Sequence, residues 1–176
     1  MEQYFRDIRI HTIHEGTTGI QGMDLLGRKV VMKNGEAMRL YIAEVEAAMQ
    51  EAGEYEGLKP YADRLKAALE QLQNVTLFRV QFALKGEIEE FLADATLYLD
   101  FFGIIAVAWQ WLIQGIAAQK GLNSVGSDAE KSFYKGKLHT MKYFFHYELP
   151  KIHGLAARLL EADGLTVNTN DPVFED

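Results

Sequence analysis

Cysteine is absent from the 176 residues. That excludes a disulfide framework, a thiolate nucleophile and any cysteine-ligated zinc or iron–sulfur site. Proline is scarce, with Pro60, Pro150 and Pro172 the three present. Long uninterrupted helices are therefore allowed. Positive charge is in deficit. Eighteen basic side chains face 25 acidic ones, for a net charge of −7. An acidic chain lacks the electrostatic footprint of a nucleic-acid binder, so no nucleic-acid partner is expected. The chain also opens Met-Glu-Gln-Tyr-Phe-Arg-Asp. It has neither a basic n-region nor an apolar h-region there, so no secretory leader is expected and the expected location is cytoplasmic.

What is present is an ordinary globular mix, 48% apolar and 24% charged. Charge is segregated along the chain. Residues 36–57 hold six Glu against one Arg, and residues 120–151 hold six Lys against three acids. Neighbouring solvated helix faces account for such a pattern. One run, Phe101 to Gln119, carries no charge at all. It just reaches the length of a membrane span. Gln110 and Gln114 interrupt it one turn apart, and Trp109 and Trp111 sit mid-run rather than at interfacial ends. The expectation is a central helix buried on nearly all sides, or lying at a subunit interface, with no membrane span.

Periodicity is helical almost throughout. A first short helix is predicted over residues 2–13, and a second from about Ile20 to Met32 with Ile20, Met23, Leu26 and Val30 on one face. Lys33-Asn34-Gly35 reads as its C-terminal cap. A third helix over about 36–52 places Met38, Ile42, Val45, Met49 and Ala52 on one stripe. A fourth opens near Pro60 and carries Tyr61, Leu65, Ala68, Leu72 and Val75. Lys85-Gly86 breaks it. A fifth, in one or two pieces, runs over 87–119, with a loop at 121–127. Ser127 or Asp128 caps a sixth, striped by Tyr134, Leu138, Met141, Phe145 and Leu149 and kinked at Pro150. Gly164 ends it. The fold class is all-α: an antiparallel bundle of about four long helices, preceded by a short helix-turn-helix segment. The expected organisation is 1–33, then a bundle over 36–164, then a loosely attached tail over 165–176.

Chemistry-bearing residues are few. His139, His146 and His153 recur every seven residues, which is about 10.5 Å of helical rise. No two of them can share a metal on a straight helix. His11 and His14 alone do not make a site, and no metal is expected. The aromatic segment Tyr143-Phe144-Phe145-His146-Tyr147 reads as core or interface. The informative stretch is the inter-helix turn His14-Glu15-Gly16-Thr17-Thr18-Gly19. A carboxylate in a tight turn is projected rigidly, and flanking glycines let another molecule approach the backbone. Thr17 and Thr18 add hydroxyls and N–H groups suited to an anion. An ordinary capped turn fits the same residues.

The pattern Arg6-Asp7-x-Arg9-Ile10 … Glu15-Gly16-Thr17-x-Gly19-Ile20-Gln21 … Asp24-Leu25-x-Gly27-Arg28-Lys29 resembles the C-terminal region of the flavin-dependent acyl-CoA dehydrogenases. It is most similar to the subgroup with an extra C-terminal helical domain. The match is dense over residues 5–30, and the rest is similar in pattern, including Tyr98-Leu99-Asp100-Phe101-Phe102-Gly103. The resemblance implies that residues 1–33 end the family's helical C-terminal domain and that 36–164 are the extra bundle. It places the general base on Glu15, removing the α-proton of an acyl-CoA thioester while hydride passes to FAD. It puts Gly16 against the substrate, and Thr17, Gly19 and Gln21 near the FAD diphosphate and adenosine. Burial beside an acyl chain raises a carboxylate's pKa toward the working pH, which suits a base. The residue before the base is usually Tyr in this family and is His14 here. The implied partners are an acyl-CoA substrate, an electron-transfer flavoprotein and further copies in a homo-oligomer. The family's other domains are absent from these residues, so the expectation is a fragment or a short gene product that is inactive alone. Two alternatives stand beside it: a non-catalytic bundle for subunit association and a membrane-anchored helical protein.

Overall fold

The computed structural model describes residues 2–12, 16–124, 126–161 and 163–168. Among them every regular element is helical. The helices are α1 (Glu2–Arg9), α2 (Thr18–Asp24), α3 (Met32–Gly53), α4 (Lys59–Lys85), α5 (Ile88–Leu92), α6 (Ala95–Ser124), α7 (Asp128–Tyr143) and α8 (Ile152–Glu161). Helices α3, α4, α6 and α7 are the long ones. Short connections force neighbours to run antiparallel, which is the expected bundle.

Local chemistry sets most boundaries. Lys33, Asn34 and Gly35 all adopt positive φ (48°, 57° and 79°), so the continuous helical stretch of α3 begins at Glu36. Pro60 sits in the first turn of α4, where a missing N–H costs nothing. Gly86 ends α4 in the left-handed conformation. Ser127 caps α7 by accepting from the Glu130 N–H, while its hydroxyl donates to the Glu130 carboxylate. Pro150 has no N–H and crowds the carbonyl four residues back. The helix therefore widens into a π turn over Phe144–Glu148 and a 3-10 turn over Leu149–Lys151 before resuming as α8.

The core sits where the expected stripes meet. Val45 and Ala52 of α3, Leu65, Leu72 and Val75 of α4, and Met141 and Phe145 on and just beyond α7 are all buried. They pack around Tyr98, Phe101, Ile105 and Leu112 of α6. Two polar clusters lie inside. The Thr76 hydroxyl donates to the Leu72 carbonyl at 2.7 Å, so the Tyr98 hydroxyl is the donor in its 2.6 Å bond to Thr76. Arg79, fully buried, donates to the carbonyls of Glu90 and Phe91 and lies 3.8 Å from Asp94. Asp94 is in turn 3.6 Å from Arg158, which forms a two-armed ion pair with Asp163 at 2.7 and 2.9 Å. This cluster joins α4, the α5–α6 corner, α8 and Asp163, just before the expected tail.

Three expectations are corrected. The second helix turns Ile20 and Met23 outward, and its buried line is Gly22, Leu26, Val30. Gly22 is the reason: a Cβ there would lie 2.6 Å from the Ala95 carbonyl oxygen, so α2 meets the α6 backbone through that glycine. Helix α6 continues past Gly121 to Ser124 instead of ending near 119, because the space at Gly121 holds the Tyr134 ring of α7. The charge-free run is not buried on nearly all sides. Phe101, Ile105, Ala108 and Leu112 are buried, but Val107, Gln110, Ile113 and Gln114 are exposed. The stretch Ile88–Ser124 has the length and composition to cross a membrane, and its inward face forms the middle of the core.

Candidate functional site

The turn expected to bear the base falls between α1 and α2. Glu15 and His14 lie outside the described residues. The resemblance-derived neighbours Gly16, Thr17, Gly19 and Gln21 fall in one exposed turn and the first turn of helix after it. Gly16 has φ +140°, a backbone state open to glycine and strained for other residues. Thr17 starts α2 without using its hydroxyl as a cap, and its carbonyl accepts the Gln21 N–H at 2.8 Å. Among the described residues, no atom beyond its own helix backbone and chain neighbours lies within 4 Å of where a Cβ on Gly19 would stand.

On its C-terminal side the turn is fixed to the bundle. Gly22 touches the Ala95–Thr96 backbone, and Leu26 and Val30 enter the core. Asp24 accepts from both arms of Arg28, and Lys29 lies 3.5 Å from the same carboxylate. The bond from Arg28 holds the Asp24 carboxyl below its ordinary pKa and raises that of Arg28. Gly27 leaves room for Leu92, whose methyl would stand 3.1 Å from a Cβ. Within the Asp-Leu-x-Gly-Arg-Lys motif, Leu26 and Gly27 seat the segment on the bundle, while Asp24, Arg28 and Lys29 pair with one another along the same helical stretch.

On its N-terminal side the turn is open. No residue of α1 is buried, and Tyr4, Phe5 and Ile8 are 78%, 68% and 64% exposed. Ile10, Ile20 and Met23 are exposed as well. Among the described residues nothing covers the α1 face.

Elsewhere the chain offers less chemistry. A cleft of about 620 Å³ lies between the 27–39 turn, α4 and α5, walled by Val30, Met38, Leu77, Val80 and Phe91. Arg39 lines it but is tied to the Asn34 carbonyl at 2.9 Å. The histidines do not converge, and the described residues contain no trio of His, Asp or Glu placed for a metal. His146 stands 3.2 Å from an Arg64 nitrogen. In the aromatic segment Phe145 is core, Phe144 is half-buried, and Tyr143 and Tyr147 stack on the surface with centroids 4.7 Å apart. The Arg79–Asp94–Arg158 cluster was not foreseen from the sequence. A signal for it exists: Arg79 falls four residues after Val75, on the continuation of the α4 stripe.

Comparison with known proteins covers most of the chain. Residues 41–169 match the family model described as "Acetyl-CoA dehydrogenase C-terminal like". A 3-methylmercaptopropionyl-CoA dehydrogenase from Ruegeria pomeroyi is 33% identical over 145 residues, 81% of this chain and 24% of that protein. A broad-specificity linear acyl-CoA dehydrogenase from Mycobacterium tuberculosis is 28% identical over 160 residues, 85% of this chain and 25% of that protein. A butyryl-CoA dehydrogenase from Syntrophomonas wolfei is 28% identical over 169 residues, 93% of this chain and 27% of that protein. The chain therefore spans about a quarter of the length of the curated relatives it matches.

Proposed function

Because this chain belongs to the acyl-CoA dehydrogenase family and corresponds to its C-terminal portion, we propose that it completes the active site of an enzyme catalysing α,β-dehydrogenation of acyl-CoA thioesters. In this reading residues 1–33 close the catalytic helical domain, 36–164 form the appended bundle, and 165–176 are a tail. FAD, when bound, accepts the hydride from the substrate's Cβ. Glu15 takes the α-proton onto its carboxylate, and Gly16 leaves room for the acyl chain at the base. Thr17, Gly19 and Gln21 form one edge of the cofactor site. They fit that role because the Thr17 hydroxyl makes no cap bond, the space at Gly19 is open and Gln21 is exposed. His14 stands where a Tyr is usual and shapes the wall beside the base.

One observation carries this reading. The turn is fixed to the bundle on one side through Gly22 and Leu26, and on the other α1 presents an apolar face, Tyr4, Phe5 and Ile8, that no other described residue buries. Such a surface is built to be covered by a further layer of protein. The rest of the enzyme supplies that layer, together with the remaining FAD and thioester contacts. An electron-transfer flavoprotein reoxidises the flavin, the assembly is a homo-oligomer, and the enzyme works in the cytoplasm. The 176 residues alone neither retain stoichiometric flavin nor turn over acyl-CoA.

The test is Glu15→Gln in the full-length enzyme. Turnover should fall by at least ~10²-fold, the low end for loss of a general base, with flavin content unchanged. Near-normal activity with Gln overturns the assignment of the base. Purification of the isolated chain with one yellow flavin per protomer overturns its incompleteness.

A further inference from the structure

Helix α2 stands on the corner between α5 and α6. A Cβ at Gly22 would lie 2.6 Å from the Ala95 carbonyl oxygen and 3.0 Å from the Thr96 nitrogen, so the two backbones meet with no side chain between them. Five residues on, the space at Gly27 holds the end of the Leu92 side chain. Between the two glycines, Leu26 is inaccessible in the core. The opposite end of α2 is unsupported, with Thr17 and Gly19 exposed.

The corner is itself held from within by Arg79, which is fully buried. A helix leaves its last four carbonyls without a partner of its own. Arg79 donates to two of those of α5, at Glu90 and Phe91, and reaches Asp94, the residue before α6, at 3.8 Å. One cation thus caps α5 and pairs with the residue that opens α6. Its Nε and Nη1 find no hydrogen-bond acceptor among the described residues. A buried charge with idle donors is a poor source of stability. What this one fixes is the shape of the corner.

We propose that the α5–α6 corner is the seat that positions the catalytic turn, with Gly22 and Arg79 as positioning residues for the dehydrogenation. The appended bundle, in this role, sets where the first turn of α2 and the base just before it stand against substrate and cofactor. The leverage follows from helix geometry. Leu26 is the fulcrum. Gly22 lies four residues from it, about 6 Å along the axis, and Thr18 eight residues, about 12 Å. The methyl of Gly22→Ala must withdraw from 2.6 Å to beyond 3.0 Å. The Ala95 carbonyl cannot yield alone, because it follows Asp94, which Arg79 and Arg158 both face. Tilted about Leu26, a displacement of about 0.4 Å or more at Gly22 is about doubled at Thr18. A misplacement of about 1 Å, arising far from the chemistry, can cost about 10²-fold in rate.

This role rests on Glu15 as the base and is tested apart from it. In the full-length enzyme Gly22→Ala should lower kcat at least about 10-fold, with KM for acyl-CoA within about 2-fold and flavin content unchanged. Arg79→Lys should do the same, because one ammonium group cannot cap two carbonyls and face Asp94 as a guanidinium fork does. Met141→Ala is the control for lost stability alone. It empties the space beside Gly115, about 30 Å along α6 from Ala95, and should keep kcat within about 2-fold. A second readout needs no turnover. In the 176-residue chain, hydrogen exchange at the Val30 amide, bonded to the Leu25 carbonyl in the seated stretch, should be at least about 10-fold faster in Arg79→Lys than in Met141→Ala. Either Gly22→Ala or Arg79→Lys, folded by circular dichroism and with kcat within about 2-fold of the parent, overturns the positioning role. So does a fall in Met141→Ala as large as that in Gly22→Ala, or equal exchange in the two chains. If Glu15→Gln keeps near-normal turnover, the base assignment fails and this role with it. If Glu15→Gln loses turnover while Gly22→Ala does not, the base stands and the positioning role alone fails.

Discussion

Residues 2–24 and residues 36–161 are written in the same helical code, yet they bury very different shares of it. In the bundle the apolar stripes of α3, α4, α6 and α7 close on one another, and their central residues are inaccessible. In the first segment Tyr4, Phe5, Ile8, Ile20 and Met23 remain on the surface. An amphipathic pattern specifies a face, and burial needs a second face to meet it. The bundle carries both halves of each contact within this chain. The N-terminal segment carries one half. The joint between the regions is short: Gly22, Leu26 and Val30.

The largest blow to the bundle should come from its charged cluster. Asp94→Ala strips the fully buried Arg79 of its nearest carboxylate. Removing one partner of a buried pair costs about 3–5 kcal/mol, so urea unfolding should shift by that order. A loss below about 1 kcal/mol would show that the carbonyls of Glu90 and Phe91 satisfy Arg79 alone.

The joint comes next. Gly22→Ala pushes a methyl to 2.6 Å from the Ala95 carbonyl oxygen, a backbone atom that cannot swing aside. Overpacking of this kind costs about 1–3 kcal/mol. Gly19→Ala, three residues earlier in open space, gains helix propensity of about 0.5–1 kcal/mol instead. Opposite signs in thermal unfolding locate the boundary between the regions. Equal, mild effects would mean that α2 does not meet α6 tightly.

A smaller effect inside the bundle has a pH signature. The Tyr41 hydroxyl is buried against Phe102 and Trp109 and finds no hydrogen-bond partner among the described residues. Burial pushes its pKa up to about 12. The folded value exceeds the unfolded one near 10, so this group's contribution is complete below pH 10 and is lost as pH rises from 10 to 12. Tyr41→Phe removes the stranded hydroxyl. It should raise stability by about 1 kcal/mol at neutral pH and flatten the alkaline decline between pH 10 and 12. A destabilised Phe variant would reveal a partner for the hydroxyl.

The same contrast explains what was legible in the sequence. The stripes of α3, α4 and α7 were readable because each is a periodic line against a core of the same chain. Ser127, Pro60 and Gly86 were readable because capping and ring chemistry act locally. Gly22 and Gly121 were not, because a glycine that makes room for a neighbouring helix looks like one that ends its own. The exposed side of α6 was not, because an uncharged run reads as buried on every side. The site turn is the opposite case. Its residues stand out through resemblance to a family, while the described geometry around Gly16 and Thr17 provides an exposed, clamped platform and leaves the chemistry to a proposal.

The smallest effect sharpens the comparison most. Deleting residues 1–12 removes α1 and its 3-10 extension, and no residue of α1 is buried. Unfolding free energy is set by surface that folding removes from water, and α1 removes almost none. The truncated chain should unfold within about 0.5 kcal/mol of the parent, the range of surface changes. Its denaturant slope should barely fall, since the slope follows the surface exposed on unfolding. Its behaviour in solution should improve, because the patch built by Tyr4, Phe5 and Ile8 goes with it. Binding of a hydrophobic dye should drop while helical circular dichroism loses only about one short helix's worth of signal. A cooperative loss of bundle stability would mean that α1 packs on the bundle in solution, and the division into a self-sufficient bundle and a half-built layer would be wrong.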